Sequence, residues 1–340
     1  MRGIINIRKL TILAALALVA GLLAVGGGQA TASHTPPGTI YVDDDNCPGP
    51  GTGTLADPFC TIQDAVDHAS AGDTVQVAAG TYNEYVVIDE QLTLEGANAG
   101  VSPVTETRGT ESIIDGTGLG VTYLVNISAS NVVFDGFKVQ DSPVFGMWTS
   151  GVSNTIQNNI VDNNNLFLGV IVAPGDNTAI LNNLITDNWD GIYLEFVTTD
   201  TTISGNKITG STGTGEGAIT FEYGGTYTNI IIENNIIEDN AGSGIYFWEP
   251  LLPTTLSGIQ LHYNNIVNNG EYGVLNEIST TVDAECNWWG HATGPTHASN
   301  KAGKGDDVSD YVDFRPWSPR AIGVGVNPGA SCRIGAEGNP

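Results

Sequence analysis

From about residue 74 onward, short runs of β-branched and aliphatic residues alternate with polar turn residues. Period-two alternation bounded by Gly, Asn and Asp predicts strands. TVQV (74–77), YVVI (85–88) and LTL (92–94) read as three sides of one coil. Gly80-Thr81 and Asp89-Glu90-Gln91 read as its corners. Irregular coils follow through SIID (112–115), TYLV (122–125) and VVFDGFKV (132–139).

A phrase built around asparagine then returns five times: NTIQNNIVDNN (154–164), AILNNLITDN (179–188), TISGNKITGS (202–211), IIIENNIIEDN (230–240) and LHYNNIVNNG (261–270). In register, Asn159, Asn183, Asn206, Asn235 and Asn265 share one position, at steps of 24, 23, 29 and 30 residues. A period in this range marks a solenoid. The β-branched content of each unit makes it a coiled parallel sheet, an all-β fold. Stacked coils lie about 4.7–4.9 Å apart, close enough for equivalent asparagines to bond one another.

The ends differ from this repeat. TIQDAVDHASAGD carries Ile62, Ala65, Val66 and Ala69 at helical spacing, with Thr61 as the capping residue. A solenoid exposes an apolar cross-section, so this short helix is predicted to close the N-terminal end. From Cys286 the pattern turns to Trp, Gly and Pro, which predicts a C-terminal cap with Trp288, Trp289 and Trp317 over the last coil. The expected organisation is a signal segment over 1–32, a loop and capping helix over 33–73, the solenoid over 74–285 and the cap and tail over 286–340.

Residues 1–32 combine Arg2, Arg8 and Lys9, an apolar run from Leu10 to Val25, and Ala30-Thr31-Ala32 as a cleavage site. The run is short for a bilayer span, which favours cleavage; retention as an anchor is the alternative. No later stretch is predicted to cross a membrane. The expected location is therefore secreted or at the cell surface, periplasmic in a host with an outer membrane. Removing the three basic residues leaves 8 Lys and Arg against 37 Asp and Glu, a formal charge of −29. Such acidity argues against nucleic acid and anionic membranes as partners. Four cysteines in an exported chain predict disulfides. Three connectivities are open. Cys47–Cys60 with Cys286–Cys332 is favoured, because each pair lies in one terminal region.

The opening YVDDDN…DPFCTIQDAVDHASAGDTVQVAAGTYNEYVVI…LTLEGA and the closing NWWGHATGP…VDFRPW are similar to the ends of secreted right-handed parallel β-helix proteins of the pectate-lyase-like superfold. The resemblance covers nearly the whole exported chain. It implies a right-handed parallel β-helix and leaves activity open, because that superfold holds lyases, hydrolases, esterases, epimerases, adhesins and a copper-site accessory protein.

After each asparagine phrase a glycine turn leads into one more strand: GMWTS (146–150), GVIVA (169–173), GIYLE (191–195), AITFE (218–222), GIYFW (244–248) and GVLNE (273–277). Alternation sends the second and fourth residues inward and the third and fifth outward. The outward set places Trp148, Tyr193, Tyr246 and Trp248 in a broken aromatic stripe beside Glu195, Glu222 and Glu277. Aromatic faces cover the apolar faces of sugars, so these four are the candidate carbohydrate contacts. The insertions VTTDT, YGGTYT and EPLLPTT are expected to wall the groove. The resemblance implies that a substrate groove lies on this sheet.

Glu195 and Glu222 fall at equivalent places in successive coils, so one carboxyl should hold a proton or the pair a cation such as calcium. A glycosidase pair is another reading, and solvation of both carboxylates a third. Glu195, Glu222 and Glu277 are thus the catalytic candidates. Other features weigh against known activities. Between residues 110 and 300 the only Lys or Arg are Lys138 and Lys207, and neither lies on the aromatic strands. The paired catalytic Asp and later Arg of pectin methylesterases, and the Asp clusters of polygalacturonases, have no counterpart. His291 and His297, near Asp306 and Asp307, form the alternative metal candidate. The resulting expectation is a polysaccharide-binding protein without catalysis. The alternatives are a divergent lyase, hydrolase or epimerase, with or without calcium, and a metal-assembly accessory protein.

Overall fold

The computed structural model describes residues 37–323, apart from 165–167, 173–174 and 250–252. The chain divides into two compact units, Met1–Thr31 and Ala32–Pro340. The first, which holds the expected signal segment, lies outside the described residues, as does Cys332.

The second unit is a parallel β-solenoid. Among the described residues its strands form sheets of eleven, nine and eight strands, to which most coils give one strand each in turn, and a small two-stranded sheet of Pro295–Thr296 with Gly305–Asp307. The first sheet runs from Thr39–Val42 to Val312–Asp313, and every named strand pair is parallel. The first coil differs from the expected one. Gly80–Tyr82 is a strand of its own, paired with Ser112–Ile114, and the next corner follows it. The three sides are Asp73–Val77, Gly80–Tyr82 and Val86–Ile88, while Leu92–Glu95 opens the following coil. Tyr82 is buried, which holds this side against the core. Parallel pairing also continues past residue 285, since Val282–Asp283 pairs with Val312–Asp313.

Two asparagine ladders stitch the corners. In the first, the Nδ2 of Asn159 donates to Asn183, Asn183 to Asn206, Asn206 to Asn235, Asn235 to Asn264 and Asn264 to Asn287, at 3.0–3.1 Å. The fifth rung is therefore Asn264, where the sequence alignment placed Asn265. The reason is local. Each rung follows a residue in the left-handed region: Asn158, Asn182, Gly205, Asn234, Tyr263 and Cys286. Tyr263 takes this slot where earlier coils use Asn or Gly, so the Asn-Asn doublet slips by one residue. A second ladder includes Asn164 to Asn188 at 3.0 Å and Asn240 to Asn269 at 2.9 Å. Asp306 ends it by accepting from Asn269 at 2.9 Å. All rungs of the first ladder are fully buried, so each supplies partners that water cannot reach.

The N-terminal end is closed by a helix over Ile62–His68, whose N-cap Thr61 accepts from the Asp64 backbone. Ile62, Ala65 and Val66 are buried. Glu84 accepts from the backbone of Ile62 and Gln63 at 2.8 and 2.9 Å, joining the helix to the first coil. Cys47 and Cys60 form a disulfide, as expected. Cys286 is not a free thiol. Trp289 is fully buried in the last coil, and Trp317 packs against the core.

Candidate functional site

The nine-stranded sheet carries the predicted wall. Its register is Trp148↔Ile171, Ile171↔Tyr193, Tyr193↔Thr220, Thr220↔Tyr246 and Tyr246↔Leu275, with Glu195↔Glu222 alongside. The alternate residues Met147, Ile192, Leu194, Ile219, Phe221, Ile245, Phe247 and Val274 form the central core, and Tyr193 and Tyr246 stand apart from that cluster. Thr149 and Asn276 also face inward and are satisfied. Thr149 bonds Asn154 at 2.9 Å, and Asn276 donates to the carbonyls of Thr280 and Tyr311. Nothing is described of the side chains of Val170, Ile171 and Val172.

Much of the wall is covered, contrary to the open stripe expected from alternation. Tyr193 is 2 % exposed, Tyr246 5 %, Glu195 0 % and Glu222 3 %. Trp148, Trp248 and Leu275 are half-buried, and Glu277 is exposed. The cover has a physical origin. The strands Asp190–Thr199 and Gly217–Thr228 run on beyond the usual coil and pair again, Val197–Thr199 with Thr226–Thr228, and the latter with Thr255–Ser257. The segments expected as free groove walls are thus partly sheet. Pro250, Leu251 and Leu252 of EPLLPTT lie outside the described residues. Tyr227 locks the arrangement by donating from its hydroxyl to the carbonyls of Glu222 and Leu194, at 2.5 and 3.1 Å.

Glu195 is the unusual group. Both carboxyl oxygens are buried and have no hydrogen-bond partner. Burial alone raises its pKa from 4.5 to about 8. Desolvation, more than repulsion from Glu222, holds the proton on it. Its charge, when present, acts on Tyr123, whose own pKa burial pushes up to about 12. Farther along, the Tyr246 hydroxyl donates to Glu277 at 2.9 Å. Burial, then the Glu277 charge, push the Tyr246 phenol up.

Beyond Glu195 the ladder breaks in a register shift before Val197. Phe196 sits in it with φ of 53°, a left-handed conformation that an aromatic residue rarely takes. Phe196 and Val197 are exposed, at 42 % and 50 %. Gly225 makes room for the shift, because a Cβ there would lie 1.6 Å from the Phe196 carbonyl oxygen.

A family model described as "Right handed beta helix region" matches residues 123–289. The chain is a right-handed parallel β-helix. No curated protein matches its sequence. Among solved structures, the β-helix is similar to the pectate lyase Pel9A, with a TM-score of 0.53, 14 % identity, and 85 % of this chain and 80 % of that one covered. It is similar to XylC in complex with xylose, with a TM-score of 0.53, 13 % identity, and 73 % and 65 % covered. It is also similar to a pectin methylesterase from Aspergillus niger, with a TM-score of 0.45, 15 % identity, and 89 % and 99 % covered.

The β-helix thus brings Glu195 beside Glu222, and Tyr246 onto Glu277. Trp148 and Trp248 stand four strand spacings apart, about 19 Å. Sequence reasoning missed two neighbours. Tyr123 packs against Trp148, with ring centroids 4.8 Å apart, and Phe196 is the exposed ring beside Glu195. Tyr123 pairs in register with Phe145, while Asn126 is the partner of Trp148, so strand alignment did not point to this ring contact; the conformation of Phe196 carries no sequence signal either. The histidines are not gathered. His291 bonds Thr293, His297 bonds Ser299 and approaches Asp310, and Asp306 is engaged with Asn268 and Asn269. The one tight acidic or histidine group among the described residues is Asp43, Asp44 and Asp45, whose carboxylates cap the local backbone. A shallow groove of about 430 Å³ lies elsewhere, between Tyr41, Leu55, Pro58 and Glu95, away from the wall.

Proposed function

We propose that this β-helix is an exported polysaccharide-binding protein that holds glycan on the nine-stranded sheet without turning it over. One observation carries the reading: the acidic pair is sealed, while the rings of Tyr123, Trp148, Phe196 and Trp248 keep solvent access. Aromatic rings that reach solvent can stack on the apolar faces of sugars. A carboxyl that no substrate reaches does not protonate a leaving group. Two folds of this kind are named for pectate and for xylose, which supports a glycan ligand. The Cys47–Cys60 disulfide and the apolar N-terminal run support export to a secreted or cell-surface location. Among the described residues no helix is long and apolar enough to cross a membrane.

The test is retention on immobilised polysaccharides. Trp248→Ala and Trp148→Ala should each weaken retention at least about fivefold, since an aromatic contact contributes about 1 kcal/mol. Unchanged retention in both variants removes the reading. A second reading draws on the unpaired Glu195 carboxyl: a divergent lyase, hydrolase or epimerase in which Glu195 and Glu222 hold a proton or calcium. Product release by the wild type, lost in Glu222→Gln, would establish that reading instead.

A further inference from the structure

We infer that the glycan held on this sheet is uncharged, a polysaccharide whose rings carry no carboxylate. The inference deepens the binding reading above and rests on it.

The first argument is the placement of charge. No strand of the nine-stranded sheet contains Lys, Arg or His. Three cations off this sheet are engaged elsewhere. Lys138 pairs with Asp162 at 2.8 Å and Lys207 with Glu238 at 2.9 Å, both on the eight-stranded sheet. Arg108 is enclosed by Glu111 and the carbonyls of Val101, Asn158 and Gly136. The other four described cations fall between residues 301 and 320, beyond the sheet's last strand at Val274–Asn276. The carboxylates of the wall that reach solvent are Glu277 and, at its rim, Glu249, while Glu195 and Glu222 lie beneath the cover. A polyuronate adds about one carboxylate per ring, and here it would meet like charge with no counter-ion on the protein. Like-charge juxtaposition is how binding surfaces reject a competitor.

The second argument is what the wall offers in place of charge. Tyr123 and Trp148 present tilted rings, and Phe196 is held outward by a backbone conformation that costs energy. These rings suit the apolar faces of hydroxylated sugars. Glu277 accepts from the Tyr246 hydroxyl and the Glu249 backbone, both at Oε2, and stays exposed, so its Oε1 is placed to accept from a sugar hydroxyl. Glu195, unpartnered and fully buried, is kept neutral at pH 7 by burial and so adds no charge to the wall.

The experiment uses the full exported protein in chelator, at low and high salt. Retention is measured on a neutral xylan and a neutral β-glucan, on polygalacturonate and on chitosan. The expected result is retention on a neutral polymer that high salt leaves unchanged, because the contacts are not ionic. Polygalacturonate should bind at least about tenfold more weakly. Polygalacturonate bound as tightly as the neutral polymers in chelator overturns this inference and leaves the glycan-binding reading standing. A preference for chitosan that survives high salt does the same. Retention on none of the four polymers overturns both.

Discussion

Replacing Glu195 by Gln should make the protein more stable as pH rises, and the size of the gain follows from one buried carboxyl. Glu195 is fully buried, without a partner, and its pKa is raised from 4.5 to about 8. In the unfolded chain the group titrates near its ordinary value. Below that value both states hold the proton, and stability does not depend on this residue. Between the two pKa values the folded state keeps a proton that the unfolded state has lost. The unfolded state binds fewer protons, so stability falls as pH rises, by about 1.4 kcal/mol per pH unit. The loss reaches about 5 kcal/mol near pH 8 and is then constant. Gln has the same shape and cannot ionise, so the variant keeps the stability of the protonated form. At pH 7 it should lead the wild type by about 3 kcal/mol. Urea midpoints across the range from acid to mildly alkaline pH measure this directly. Solenoids do not always unfold in two states, so the informative quantity is the difference between the two proteins at each pH. Parallel curves from pH 5 to pH 8 would refute the argument. A variant weaker than the wild type near pH 8 would refute it more sharply, since a cation or donor would then be stabilising the ionised Glu195.

Three further perturbations test the frame around this site. Asn206→Ala removes a rung that accepts from Asn183 and donates to Asn235 and to the carbonyl of Ile180. It should cost about 2–4 kcal/mol in urea unfolding, whereas Lys207→Ala, which breaks a half-exposed ion pair, should cost less than about 1 kcal/mol. Phe196→Gly should raise stability by about 1 kcal/mol by relieving the left-handed backbone while lowering glycan retention; a fall in melting temperature would show instead that the ring is a packing element. Replacing Cys47 and Cys60 together by Ser opens a loop of 13 residues and should cost about 3 kcal/mol, read as a lowered melting temperature at the N-terminal end by hydrogen exchange.

The repeat was legible because its chemistry is local. A buried Asn at a corner needs an Asn above and below it, and that requirement leaves a visible mark at every coil. Its failures in detail are equally physical. The step from Asn235 leads to Asn264, not Asn265, because the left-handed slot before a rung accepts Tyr263 as well as Asn or Gly. The slot before Asn287 accepts Cys286 in the same way, so a sixth rung falls inside a segment that looked only like a cap. The second ladder was hidden because Ser211 occupies one of its positions, where it donates its backbone N–H to Asn240. Gly80-Thr81 reads as a corner because Gly-Thr resembles a turn, yet Tyr82 supplies the buried side chain that makes Gly80–Tyr82 a side of the coil.

The wall shows the limit of alternation more clearly. Period two fixes which face of a strand a residue occupies, and on that point Ile192, Leu194, Ile219 and Phe221 in the core behave as the pattern requires. It says nothing of what lies over the other face. Tyr193, Glu195 and Glu222 stand on that other face and are nevertheless buried, because two strands run past the coil and fold into further pairing. That long-range pairing depends on a register shift at Phe196, and the shift depends on Gly225, 29 residues away in sequence and in direct contact in space. A carboxyl expected to be solvated thereby becomes a dry one that holds its proton at neutral pH. The chemistry of the wall is decided by its cover, so Gly225→Ala should reach Glu195 without touching it. A methyl group 1.6 Å from the Phe196 carbonyl must displace that strand, admit water to the carboxyl and bring its pKa down towards the ordinary range. Titration of the Glu195 carboxyl carbon by NMR in the variant measures the shift, and a pKa that stays near 8 would show that something other than this cover keeps the group dry.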